Sequence, residues 1–230
     1  MRIRSRFAIT GKSRFLSHLD LLKVMERTLR RAQLPVTYSQ GFNPHPQIGF
    51  ATAKSVGVAS TCEYFDVELD EAVAPQEFQR RIQENCPVGI EILECREIPQ
   101  NAPSLMAVVN GASYQVLVQM KEAITQEELD QKIKELFAQQ EIIIERSSPK
   151  RRKEFDIRPG ILSLTYRMET SQRILFETDL RMGNLGNVRP QEVVDALGLS
   201  DCEILEITRV ELFIEKSTDG AKLTDLWQTK

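Results

Sequence analysis

A chain of 230 residues, 41% hydrophobic and 27% charged, has the composition of a folded protein and the length of two units of about 100 residues each, which excludes a disordered chain. No apolar run approaches the ~20 residues of a bilayer-spanning helix, and the basic start at Met1 leads into a polar stretch where a signal peptide would have an apolar core, so no membrane association and a cytoplasmic location are expected. The formal net charge is only −3, so any surface for a polyanion must come from uneven placement of charge.

Residues 2–10 alternate as a strand, with Ile3, Phe7 and Ile9 on one side and Arg2, Arg4 and Arg6 on the other. Ser17, with Asp20 three residues on, marks a helix start, and Leu21, Leu22, Met25 and Leu29 form its apolar stripe until Leu34-Pro35 ends it. A turn-rich segment runs through Pro46, followed by a short strand near 48–51 and an alternating strand at 63–69. Residues 75–85 fit a helix with Pro75 in its first turn, and 89–98 fit a strand. This β-α-β-β-α-β order predicts a ferredoxin-like unit over residues 1–99.

After a proline-bounded linker the pattern returns. Residues 114–120 alternate as a strand, 127–138 are helical, 141–146 are β-rich, 161–168 and 173–180 form a hairpin, 190–197 a short helix ended by Gly198, and 203–215 a final strand. The predicted fold class is therefore α+β: two tandem ferredoxin-like units with antiparallel sheets, the second embellished and spanning 104–216, then a polar tail over 217–230.

Charge is sorted along the chain. Residues 1–60 hold ten Lys or Arg against Asp20 and Glu26, a net +8; residues 146–158 hold six against two, a net +4; the remainder carries −15. On the first helix Lys23, Arg27, Arg30 and Arg31 cover much of the face away from the apolar stripe. They form either a ridge for phosphates or a solvated surface of weak pairs with Glu26. Arg4 and Arg6 would meet Asp66 and Glu68 across the sheet, so a structural role is expected of them. Lys150, Arg151, Arg152 and Lys153 follow Ser147-Ser148-Pro149 in an expected exposed loop, where four adjacent like charges favour an anionic partner.

Gln40-Gly41-Phe42-Asn43-Pro44-His45-Pro46 combines a glycine that permits a turn with two prolines that stiffen the chain around His45. Phe42 could stack on an unpaired base while Gln40, Asn43 and His45 supply hydrogen bonds. The alternative is a structural turn with Phe42 in the core. Both histidines, His18 and His45, lie in this part of the chain and could form a metal-independent acid–base pair for RNA cleavage, though His18 is equally suited to packing at the helix start.

Cys62, Cys86, Cys95 and Cys202 lie far apart with no CxxC or CxxxCxxC spacing, so no metal, iron–sulfur cluster or other cofactor is expected. The segments FLSHLDLLKVMERTLRR and LPVTYSQGFNPHPQI, with CPVGIEI and KEFDIRPGI further on, resemble the bacterial radical-SAM-linked protein family. Members are separate chains or the C-terminal region of a cobalamin-binding radical SAM protein, and carry a domain of unknown function. The resemblance implies a radical SAM partner, since this chain lacks the three-cysteine motif, and a setting near RNA metabolism. Two functional classes stand beside an endoribonuclease-like enzyme: an RNA-binding or substrate-presenting accessory protein, and a protein-interaction module without RNA.

Overall fold

The alternating N-terminal stretch forms β1 (Arg2–Ile9). The computed structural model, which describes residues 1–148, 151–183, 187–199, 202–215 and 222–228, places it between two antiparallel neighbours, β3 (Ala59–Glu68) and β4 (Ile90–Ile98). β2 (Ile48–Phe50) pairs antiparallel with β3, giving the order β4-β1-β3-β2. On one face Ile3, Phe7, Ile9, Phe65 and Val67 bury against Leu21, Met25 and Leu29 of α1 (His18–Arg31) and Phe78 and Ile82 of α2 (Pro75–Gln83). Phe7, Phe50 and Phe65 meet with centroids 5.5–6.1 Å apart, in edge or tilted contacts that suit ring quadrupoles.

A second unit comprises residues 110–211. β5 (Gly111–Met120) lies between β10 (Cys202–Glu215) and β9 (Arg173–Arg181), and β9 pairs antiparallel with β8 (Ile161–Met168), giving the order β10-β5-β9-β8. After the short α3 (Leu105–Val108) of the first unit, the helices are α4 (Gln126–Ala138) and α5 (Pro190–Ala196). Thr125 and Glu128 form a reciprocal capping box at the start of α4. The fold is thus mixed α+β, mostly antiparallel sheet with few helices, and among the described residues no helix is long and apolar enough to cross a membrane.

Two stretches differ from the sequence expectation. The loop expected around residues 147–153 is largely strand: β6 (Ile143–Ser148) and β7 (Arg151–Asp156) pair as a separate two-stranded sheet. Successive charges at Arg151, Arg152, Lys153 and Glu154 show no apolar alternation, so this strand rests on its backbone pairing with β6 and leaves no period-two signal. The expected boundaries, 104–216 for the second unit and a separate tail after it, also differ from the compact units, because the described residues from 212 onward belong with residues 1–109. Leu226 in that segment is fully buried, and β11 (Lys222–Leu223) pairs with the end of β10.

The other face of the first sheet is held by charge. Arg4, with no solvent exposure, donates from Nε and Nη2 to both oxygens of Asp66 at 2.7 and 2.9 Å, and Arg2 donates to the same carboxylate at 2.7 Å. A buried pair is costly to break because one charge is left without a partner in a medium of low dielectric. Asp66→Asn should therefore lower unfolding free energy by about 3–5 kcal/mol in urea titration, and an Arg4→Met, Asp66→Leu double variant should recover much of it. A loss below about 1 kcal/mol would make the pair no stronger than a surface one.

The four cysteines are free thiols, with Cys62 and Cys95 buried. Burial pushes the Cys86 thiol up to about 12 and the Cys95 thiol up to about 11, the latter against the opposing contact of Ser5 Oγ at 3.2 Å. A raised thiol pKa means less thiolate at any pH below it. Iodoacetamide at pH 8 should alkylate Cys86 and Cys95 of the native protein at least about 100-fold more slowly than a free cysteine, read by mass spectrometry.

Candidate functional site

α1 starts where Ser17 Oγ accepts from the Asp20 backbone N–H at 3.2 Å. Leu21, Met25, Thr28 and Leu29 bury one side, so Lys23, Arg27, Arg30 and Arg31, spaced three and four apart, must point to solvent, and all four are exposed. Past its last turn, whose Thr28, Leu29 and Arg30 carbonyls accept from backbone N–H groups, Arg81 of α2 donates to Ala32 O at 2.9 Å from Nε, and also to Gln33 O. None of the four cations has an ion pair or side-chain hydrogen bond among the described residues, and the weak pairs with Glu26 are not formed.

Glu26 faces a different group. Its Oε1 lies 3.8 Å from Nδ1 of His45, an ion pair only when the imidazole is protonated. This contact sets the loop containing Gln40, Phe42, Asn43 and His45 beside the cationic helix. The base of the loop is pinned: Tyr38 bridges Pro46, Gln47 N donates to Thr37 O at 2.8 Å, and Thr37 N donates to Glu68 O at 2.9 Å. Nearer the tip, Ser39 N donates to His45 O at 2.8 Å and His45 N donates to Ser39 Oγ at 3.1 Å. Gly41 turns the tip with φ +146°, in the region that favours glycine. Above that neck Gln40, Asn43 and His45 are exposed and Phe42 is entirely so, outside the core.

The two histidines have separate surroundings. His18 sets its ring edge-on to Phe50 at 5.5 Å, and its Nδ1 is buried with no hydrogen-bond partner among the described residues. Packing, which the sequence left as one of its options, is the contact that the structure gives this ring.

In the second unit much of the charge at 146–158 is spent internally. Arg146 donates to both oxygens of Glu192 at 2.7 and 2.6 Å and lies over the Phe155 ring, and Arg158 donates to the carbonyls of Phe137 and Ile161. Arg152 sits 3.4 Å from Glu145 with both exposed, a pair worth little. Lys153 is exposed and has no ion pair among the described residues. Arg151 is in β7, and Lys150 lies outside the described residues.

Sequence reasoning did not identify a cavity of about 400 Å³ in this unit. Ser113, Gln115, Ser163, Thr165, Glu177 and Asp179 line it. Asp179 accepts from Ser113 Oγ at 2.5 Å and from Ser163 Oγ at 2.6 Å, and Glu177 accepts from Gln115 at 2.9 Å. The available signal was the pair of alternating polar residues in each strand, Ser113 and Gln115 in β5 and Glu177 and Asp179 in β9.

No curated protein matches the chain. Among solved structures it is similar to a chain of a Cbf5-Nop10-Gar1 complex, at 13% identity and a TM-score of 0.49 over 90% of this chain and 48% of that one. It is also similar to a chain of an H/ACA RNP bound to a substrate RNA containing 2'-deoxyuridine, at 12% identity and a TM-score of 0.48 over 89% and 46%. This chain spans about half the length of those two. An unknown protein from Galdieria sulphuraria aligns over 91% of this chain and 98% of its own, at 11% identity and a TM-score of 0.26. A family model covers residues 2–190, and the chain belongs to that family, the uncharacterized proteins conserved in bacteria designated DUF2344.

Proposed function

We propose that this protein is an RNA-binding or substrate-presenting accessory protein, acting in the cytoplasm beside a radical SAM enzyme in RNA modification or processing. The observation that carries the reading is the juxtaposition of a pinned, exposed loop with an unneutralised cationic helix, joined where His45 meets Glu26. Lys23, Arg27, Arg30 and Arg31 supply sequence-independent attraction to phosphates. Phe42 offers both ring faces for stacking at low entropic cost, and Gln40, Asn43 and His45 offer donors and acceptors for a base edge. Lys150, Arg151, Arg152 and Lys153 form a further basic stretch in the second unit.

The strand orders β4-β1-β3-β2 and β10-β5-β9-β8 support reading each unit as ferredoxin-like, with the β6-β7 hairpin as the embellishment of the second. The radical SAM partner rests on the sequence resemblance. The dispersed cysteines leave cluster chemistry to that partner.

Binding of a labelled single-stranded RNA of mixed sequence, followed by anisotropy across a salt series, tests the interface. Arg30→Ala with Arg31→Ala should weaken all sequences alike and reduce the slope of log K against log salt by about 0.7 per lost contact. Phe42→Ala should cost about fivefold or more in affinity, and His45→Ala should narrow the difference between strong and weak sequences with little change in slope. Unchanged affinity and slope in the arginine variant would remove the helix from the interface. Loss of protein-partner binding in the same variant, without any RNA binding by the native chain, would make this an interaction module.

A further inference from the structure

The sheet of the first unit has a face opposite α1 and α2, and the last described segment lies on it. Arg4 on this face donates from Nη1 to Leu226 O, and Leu226 is fully buried. The next residue, Trp227, sets its ring against Tyr64 in an edge contact, with centroids 5.7 Å apart and planes at 70°. The Arg96 guanidinium covers the same ring at 4.6 Å from its centroid. Tyr64 is on β3 opposite Arg6, and Arg96 is on β4 opposite Arg4, so the slot spans three adjacent strands. Tyr64 retains only 6% exposure beneath this cover.

A planar ring that lies under an arginine guanidinium and meets the edge of a tyrosine on a sheet occupies a place that a planar nucleobase, which also accepts a guanidinium over its face, can fill. Among the described residues the Trp227 backbone N–H bonds to Asp225 within the same short segment, and β11 contributes two residue pairs. The sheet does not need the segment for its charge balance, because Arg2 and Arg4 both keep Asp66 when Leu226 leaves. Arg4 then gives up the Leu226 carbonyl, an acceptor that a base carbonyl or a phosphate can replace.

We propose that this slot is a base-binding site for single-stranded RNA, and that Trp227 occupies it as an internal competitor displaced by an incoming base. The assignment rests on the RNA-binding reading above. It differs from the loop and helix interface in enclosing the base between Tyr64 and Arg96 with little free charge, since Asp66 already neutralises much of the charge on this face.

Trp227 is the sole tryptophan, so its emission reports the slot directly in the full chain. On titration with a single-stranded RNA oligonucleotide, emission should shift to the red and become more accessible to acrylamide over the concentration range in which anisotropy reports binding. Trp227→Ala should bind the oligonucleotide about tenfold more tightly, and Trp227→Phe to an intermediate degree, because the competing closed state is removed or weakened. Tyr64→Leu should abolish that gain when combined with Trp227→Ala. If the native protein binds RNA while Trp227 emission stays fixed and Trp227→Ala changes affinity less than twofold, the slot assignment is overturned and the loop and helix interface stands. If neither protein binds RNA, both fail together. An equal emission shift from micromolar adenosine monophosphate would assign the slot to free nucleotides and overturn the single-strand assignment.

Discussion

Arg4 is taken wholly out of water, and a buried guanidinium has to be surrounded by acceptors. Asp66 provides two of them across the β1-β3 ladder, in the register that places Arg4 opposite Asp66. Others come from far along the chain: the carbonyl of Pro103 and that of Leu226. One cation thereby ties the central strand, the segment after β4 and the end of the described chain to the same spot. The apolar face of the sheet could bury Ile3 and Phe7 without these partners, but the opposite face could not close over a charge.

The same requirement decides which charges remain available to a ligand. Residues 1–60 carry a net +8, yet Arg2 and Arg4 are matched to Asp66, and Lys54 is buried with Nζ donating to the carbonyls of Arg14 and Ser55. The cations of α1 escape because burial of Leu21, Met25 and Leu29 turns them outward. In the second unit Glu192 takes Arg146 in the same way. A count of basic residues measures potential for anion binding, and burial subtracts from it unevenly.

Local rules made much of the fold legible. Ser17 caps α1 because a hydroxyl at that position can accept an otherwise orphaned N–H, and Gly198 follows α5 because its φ of +67° suits glycine. Period-two alternation located β1, β3 and β5, 161–168 and 173–180 read as a hairpin located β8 and β9, and a 3.6-residue period located α1 and α4. β7 was missed since its charges carry no alternation, and the end of the chain was read as a tail because its short apolar stretch forms no long periodic pattern. The exposure of Phe42 was also undecided, since a phenylalanine between turn residues suits either a core or a surface.

By itself the sequence determined the β-α-β-β-α-β order of residues 2–98, the capped start of α1, the stiff loop around His45 and the presence of a cationic helix, all of which depend on residues within a few positions of one another. Only the tertiary structure decided that Phe42 is exposed and the α1 cations have no ion pair among the described residues while Arg4 is consumed, and that Trp227 lies against Tyr64. Those outcomes depend on partners 62 residues away for Arg4 and Asp66 and 222 away for Arg4 and Leu226. Neutralisation and burial act through space, and no local pattern encodes which distant acceptor a buried donor will find.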